Sequence, residues 1–400
     1  MRESGKTIRI HVYQLEIGMF VSELDIPWEE SPFMLQGFDI KSNADIKAVQ
    51  NVCDYVFIDP SRQKETHGAI SVELKEKMVV FADANDTYRQ TSDLVKTVMD
   101  DIRFGNQLNV EAVKKSVEAC VDRVLKNSDA MMLLTQLKNK DEYTSQHSLN
   151  VCLMSIMLGR HLNYSLDDLN KLGVCGLMHD MGKMKVPLDI LNKEGKLSPE
   201  ELEVMRSHTT HGRNILMSAR GIYPGAVDAA YAHHERLDGQ GYPRGVTEAV
   251  LSPFVRIVAI VDTYDAITSD RVYSKGRLHL EAINILMKCR DSHFDAGLVL
   301  KFIDCIGIYP VGNLVEMKSG EVGVVIKSNA ANKTRPKVLI LLNADKQSCE
   351  ETVIDLQDDS ILNSNQEPYR ISRVLRTGDF GLSLNEIYKR GSFDKAWLAS

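Results

Sequence analysis

Four hundred residues exceed what one ordinary core organises, and a composition 44% hydrophobic and 26% charged is that of a globular chain of two or three domains. The formal net charge of −7 argues against broad binding to DNA or anionic lipid, which rests on many Lys and Arg contacts to phosphate. Seven cysteines without CxxC pairing fit reduced thiols, and neither a signal peptide nor an apolar run long enough for a membrane span is visible, so a cytoplasmic location is expected.

Near the start, Ile8, Ile10 and Val12 alternate with polar residues, the period of a half-buried strand, and a second strand is expected at Tyr55–Ile58. Residues 1–70 therefore read as a small α/β domain. Trp28 and Phe33 within it serve either core packing or a regulatory ligand, and packing is the simpler use. Residues 71–139 read as a helical connector. Its second part, 109–138, is expected to be one long helix, because Val113, Val117, Cys120, Val121 and Val124 fall on one face. That stripe is expected to pack inside its own chain rather than to form a dimer.

Residues 140–308 read as successive helices, with apolar positions such as Leu162, Leu166 and Leu169 spaced by three or four. Beyond Pro310 the pattern changes to short β-rich runs broken by Gly, Asn and Pro, so 309–400 read as a β-rich appendage. The expected architecture is multidomain and mainly α. A central all-α helical domain is flanked by the small N-terminal α/β domain and the small C-terminal β-rich appendage.

The chemistry concentrates in the central segment. His179 and Asp180 open the string HDMGK directly after an apolar run. Neighbouring residues on a helix point about 100° apart, so two such ligands serve two ions only if the carboxylate bridges them. His208, the tandem His233 and His234, and Asp262 add imidazoles and a carboxylate. Imidazole with carboxylate suits Fe, Mn or Zn, whereas an all-oxygen shell would suit Mg or Ca. The other histidines read as surface or core residues. His211, three residues after His208, is ambiguous and is left out of the ligands.

Six strings in order, DEYTSQHSLNV, HDMGK, ILNKEGKLSPEE, MRSHTTHG, HHERLDGQGYP and VDTYDAITSDRVY, make the segment similar to the HD-GYP phosphodiesterases, a branch of the HD metal-dependent phosphohydrolase superfamily. The resemblance implies metal ligation by His147, His179, Asp180, His208, His233, His234 and Asp262. It makes Lys183 the phosphate-binding lysine, and Asp265 and Arg271 polar positions near substrate. Gly241, Tyr242 and Pro243 are the signature tripeptide, and Tyr242 is taken with Lys183 and Arg271 as substrate-binding. Some relatives place a glutamate, which helps to hold a third ion, where this chain has Tyr143, so two divalent ions, Fe or Mn, are expected. Many relatives continue after Arg271 with Pro-Tyr-basic; here Lys275 is displaced by one residue. The N-terminal segment resembles an uncharacterised domain often found ahead of HD-GYP domains.

The implied activity is hydrolysis of a cyclic dinucleotide, cyclic di-GMP or 3′,3′-cyclic GMP-AMP, to a linear dinucleotide and onward to mononucleotides in some members. Paired ions would activate water for in-line attack on phosphorus. Lys183 would stabilise a phosphate oxygen, and Asp265 would serve as proton donor to the leaving oxygen. A phosphohydrolase acting on another nucleotide and a catalytically silent sensor or adaptor remain as alternatives. A homodimer or a signalling-protein partner is also open.

Overall fold

The structure, a computed structural model, describes residues 7–398 except 13–14, 16, 29–30, 34–36, 54, 60–61, 63–71, 138–142, 271–274 and 330. Four short strands, β1 (Ile8–His11), β2 (Phe20–Leu24), β3 (Phe38–Asp39) and β4 (Tyr55–Ile58), pair antiparallel in the order β1-β4-β2-β3. Ile10, Val21 and Val56 bury one face of this sheet with Val49 of the helix Asn43–Gln50. Ser42 starts that helix with a reciprocal cap, in which the Asp45 carboxylate accepts the Ser42 amide at 2.9 Å. Phe38 stacks on Phe33 at 4.6 Å and meets Trp28 edge-on at 6.3 Å, so both aromatics are used in packing.

A 33-residue helix, Val72–Phe104, leads out of this domain. The expected single helix over 109–138 is two helices, Val110–Lys126 and Ser128–Gln136. Asn127 separates them: its backbone leaves helical geometry, and its side-chain oxygen accepts the Ala130 amide at 3.0 Å. An Asn-Ser-Asp run offers the backbone a cap, and here it outweighs the valine periodicity. The valine stripe itself is buried within the chain.

The helix Tyr143–His161 is the axis of the central domain. It is buried from residue 147 to 159, so little of it is left to solvent. Helices Leu166–Met178 and Pro253–Thr268 pack along it. Five strands close the chain as a sheet in the order β8-β7-β6-β5-β9, with β5 (Leu314–Met317), β6 (Val322–Lys327), β7 (Lys337–Leu342), β8 (Ser348–Asp355) and β9 (Ile371–Val374). Their apolar face merges with the helical core. Two helices that the sequence reading lacked, Leu384–Lys389 and Ser392–Leu398, follow the sheet. Six or seven residues are too few to display a helical period. No described helix is long and apolar enough to cross a membrane.

One backbone contact positions the ligand-bearing segments. Helix Leu166–Met178 ends on His179, Asp180 departs from helical geometry (φ −104°, ψ 8°), and the 3-10 turn Met181–Lys185 follows. Gly182 in that turn lies directly against the start of helix His208–Ser218. A Cβ there would stand 1.8 Å from the His208 carbonyl oxygen and 2.4 Å from the Gly212 nitrogen. The expected effect of Gly182→Ala is a loss of about 1–3 kcal/mol of stability, read from urea denaturation, together with lower metal content in the protein that remains folded.

Candidate metal centre

Five segments deliver the candidate ligands. His147 comes from helix Tyr143–His161, His179 and Asp180 from the end of Leu166–Met178, and His208 from the first residue of His208–Ser218. His233 and His234 follow helix Pro224–Ala232, and Asp262 lies within Pro253–Thr268. Their donor atoms form three overlapping groups, His147–His179–Asp262, His179–Asp180–His233 and His208–His233–His234, each with all atoms within 4.8 Å of one another.

Asp180 joins the groups. Its Oδ2 is 3.5 Å from His147 Nε2 and 3.3 Å from His179 Nε2. Its Oδ1 is 3.5 Å from His208 Nε2 and 3.6 Å from His233 Nε2. Asp262 Oδ1 completes the first side, 3.0 Å from His147 Nε2.

The outward ring nitrogens fix which atoms face inward. Nδ1 of His179 meets the Gly176 carbonyl at 2.7 Å, that of His208 the Met205 carbonyl at 2.7 Å, and that of His233 the Ala229 carbonyl at 3.0 Å. A carbonyl only accepts, so each Nδ1 carries a hydrogen, and each ring turns Nε2 into the cage. His179 Nε2 and Asp180 Oδ1 are buried without a hydrogen-bond partner. Leaving such an acceptor unsatisfied costs about 1–3 kcal/mol, and a cation between the two removes that cost. The nitrogen and carboxylate donors therefore fit divalent transition-metal ions.

Three comparisons follow from this geometry. Residues 131–298 match the HD domain family, 7–113 match a domain of unknown function (DUF3391), and 314–363 match the KOW domain associated with HD domains. A cyclic di-GMP phosphodiesterase of Pseudomonas aeruginosa is 35% identical over 367 residues, covering 87% of this chain and 88% of the relative. The chain belongs to the HD-GYP family. A 3′3′-cGAMP-specific phosphodiesterase of Vibrio cholerae is 37% identical over 162 residues, 40% of this chain and 37% of that protein. A solved HD-GYP-type protein of Bdellovibrio bacteriovorus aligns at 17% identity with a TM-score of 0.46, over 75% of this chain and 99% of its own.

In this HD-GYP chain the signature loop supports the cage from outside. Glu235 is buried, and its two oxygens accept the Arg244 amide at 2.8 Å and the Val246 amide at 3.2 Å, which folds the loop back on itself. Gly241 sits so close that a Cβ would be 2.4 Å from Glu235 Cα. Tyr242 stacks on His234 with centroids 4.7 Å apart, and the Arg206 guanidinium lies 5.1 Å from the tyrosine ring centroid. Tyr242, expected from the sequence to bind substrate, has its ring against a candidate ligand.

Asp265, expected near substrate, is in contact with His147. Its Oδ2 is 2.8 Å from His147 Nδ1, the outward nitrogen, and also accepts from Ser269 Oγ at 3.2 Å, while Oδ1 accepts from Asn150 Nδ2 at 3.1 Å. It is buried on the Nδ1 side of the His147 ring. Asn150, Ser269 and Glu235 escaped the sequence reading. A signal for the first contact was present: residues 262 and 265 are three apart and share one helical face. Lys183 contacts Asp180 Oδ2 directly. Arg271 lies outside the described residues, as does the side chain of Tyr143, and His211 is not among the grouped donors.

The electrostatics divide the cage. Burial lowers the basicity of His147, but Asp262 and Asp265 on either side outweigh it and raise its pKa to about 9. Burial takes His208 the other way, down to about 3, and holds His234 well below its ordinary value. Burial opposes charge on Asp180 and Asp262 as well, yet Lys183 and His179 for the first, and His147 for the second, keep both below the usual carboxylate range.

Two outcomes are expected. Below about pH 9 an ion must displace the proton on His147 Nε2, so metal affinity should weaken by about tenfold for each unit of acidification. Chelator competition between pH 6 and 8, on the order of that range, measures this, and a flat profile contradicts it. Asp265→Ala should weaken metal binding by about 10–100-fold, whereas Asp265→Asn, which still accepts from Nδ1, should recover part of the loss. Equal affinity in all three proteins would remove Asp265 from the support of His147.

Proposed function

We propose that this chain hydrolyses a cyclic dinucleotide to a linear dinucleotide at a centre of two divalent ions, Fe or Mn. The observation that carries the reading is the Asp180 carboxylate, whose two oxygens face separate sets of imidazoles. A single-ion site has no use for that arrangement. The names of the relatives support the substrate class, and cyclic di-GMP comes first because the Pseudomonas aeruginosa protein matches along most of both chains. 3′,3′-cyclic GMP-AMP is the second candidate, named for the Vibrio cholerae relative that matches the central segment.

Bound metal would supply an activated water and stabilise charge on the phosphoryl oxygens. His147, His179 and Asp262 would hold one ion, and His208, His233 and His234 the other, with Asp180 between them. The chain's own residues do the rest. The Lys183 side chain, about a fifth exposed, contacts Asp180 Oδ2 through Nζ. From there the ammonium would meet a non-bridging phosphate oxygen, a charge-assisted contact that strengthens as charge develops there. Asp265 keeps the proton on His147 Nδ1, so that Nε2 presents its lone pair. Tyr242 holds the His234 ring in plane by stacking. Arg271 is assigned to the second phosphate or a base. With no span for a membrane among the described helices, action on a cytoplasmic nucleotide pool fits the reading.

Asp180→Ala should lose both ions and turnover together. Lys183→Ala should retain the ions while kcat falls by about 100-fold or more. Metal analysis by mass spectrometry, paired with chromatography of the products, separates the two variants. Turnover by metal-free Asp180→Ala would refute the reading.

A further inference from the structure

Helix Val72–Phe104 lies outside residues 131–298, the stretch that matches the HD domain family, yet it sends one side chain to the back of the metal cage. Tyr88 of this helix is buried, and its hydroxyl donates to Asn150 Oδ1 at 3.1 Å. Asn150 passes the contact on. One N–H of its amide goes to the Thr135 carbonyl at 3.2 Å, and the other goes to Asp265 Oδ1 at 3.1 Å. Asp265 Oδ2 in turn accepts from His147 Nδ1 at 2.8 Å. Buried side chains from three helices thus join the connector to a candidate metal ligand.

The Asn150 amide has one workable orientation. The Thr135 carbonyl and the Asp265 carboxylate only accept, so Nδ2 must face them and Oδ1 must face the Tyr88 hydroxyl. An amide oxygen buried at that point needs a donor, and Tyr88 is one. Away from water each bond of such a chain polarises the next, which strengthens the N–H contact to Asp265. That contact limits rotation of the carboxylate, and the rotation decides how Oδ2 meets the ring. The other rings are held differently. Backbone carbonyls fix His179, His208 and His233 from behind, whereas His147 depends on a side chain that can turn. One turn before Tyr88 the same helix seats the N-terminal sheet, with Asn85 donating to Tyr55 Oη of β4 and Asp86 paired with Arg9 of β1.

We propose that Tyr88 and Asn150 are positioning residues for the metal centre. They lock Asp265, and through it the His147 ring, so the connector helix completes a site whose ligands all lie in the central domain. This rests on the metal-centre reading above. Tyr88 touches neither ion nor substrate, and its influence is confined to the ion beside His147.

Calorimetry with manganese on the full chain tests the relay. Tyr88→Phe, which keeps the ring and removes the hydroxyl, should weaken the affinity for one ion by about threefold. Asn150→Ala should weaken it by about tenfold. Thr91→Ala removes another buried hydroxyl of the same helix, one that faces Cys120 Sγ at 3.5 Å, and should leave manganese binding unchanged. In a His147→Ala background Tyr88→Phe should cause no further loss. Unaltered affinity in both Tyr88→Phe and Asn150→Ala would overturn the proposal. An equal loss in the His147→Ala background would overturn it too, because it marks a general loosening of the fold. A second readout needs neither metal nor a folded Asn150→Ala. In the metal-free chain with isotope-labelled histidine, magnetic resonance follows the Nδ1 proton of His147, identified by its absence from His147→Gln. That resonance should shift in Tyr88→Phe, and coincident signals would overturn the relay. If the unaltered protein binds no manganese, the metal-centre reading falls, and this resonance alone decides whether Tyr88 positions His147.

Discussion

A buried carboxylate surrounded by imidazoles governs this architecture. Asp180 is almost wholly removed from water, and four ring nitrogens lie 3.3–3.6 Å from its oxygens. A charge in that position is expensive unless cations compensate it, because the interior cannot replace its hydration. Lys183 supplies one cation and a protonated His147 another, while an unpartnered Oδ1 and an unpartnered His179 Nε2 leave room for more. The surrounding helices are arranged to preserve this tension. Backbone carbonyls hold three rings from behind, and the Gly182 contact brings the HDMGK turn against the His208 helix.

The same logic explains why His147 is the most constrained ring. One turn of helix Pro253–Thr268 sends Asp262 to its inner nitrogen and Asp265 to its outer one. One carboxylate can share an ion with the ring, and the other keeps the tautomer that makes sharing feasible.

Much of the candidate site was legible because each ligand lies in a short local string. HDMGK, the tandem histidines and the aspartate of VDTYDA are visible without knowing how helices pack. What escaped depends on tertiary neighbours. Nothing local in sequence says that residue 182 must pass within contact distance of residue 208, or that Asp265 meets the outer nitrogen of His147. Strands at the N-terminus showed their alternation, whereas the valine stripe that ends at Val124 gave no sign that the helix breaks at Asn127.

The central claim is that Asp180 stands between two ions. Anomalous diffraction from crystals of the manganese-loaded protein tests it most directly. The account predicts two peaks about 3.5–4 Å apart, one beside His147, His179 and Asp262 and the other beside His208, His233 and His234. A single peak, or peaks remote from Asp180, would contradict it.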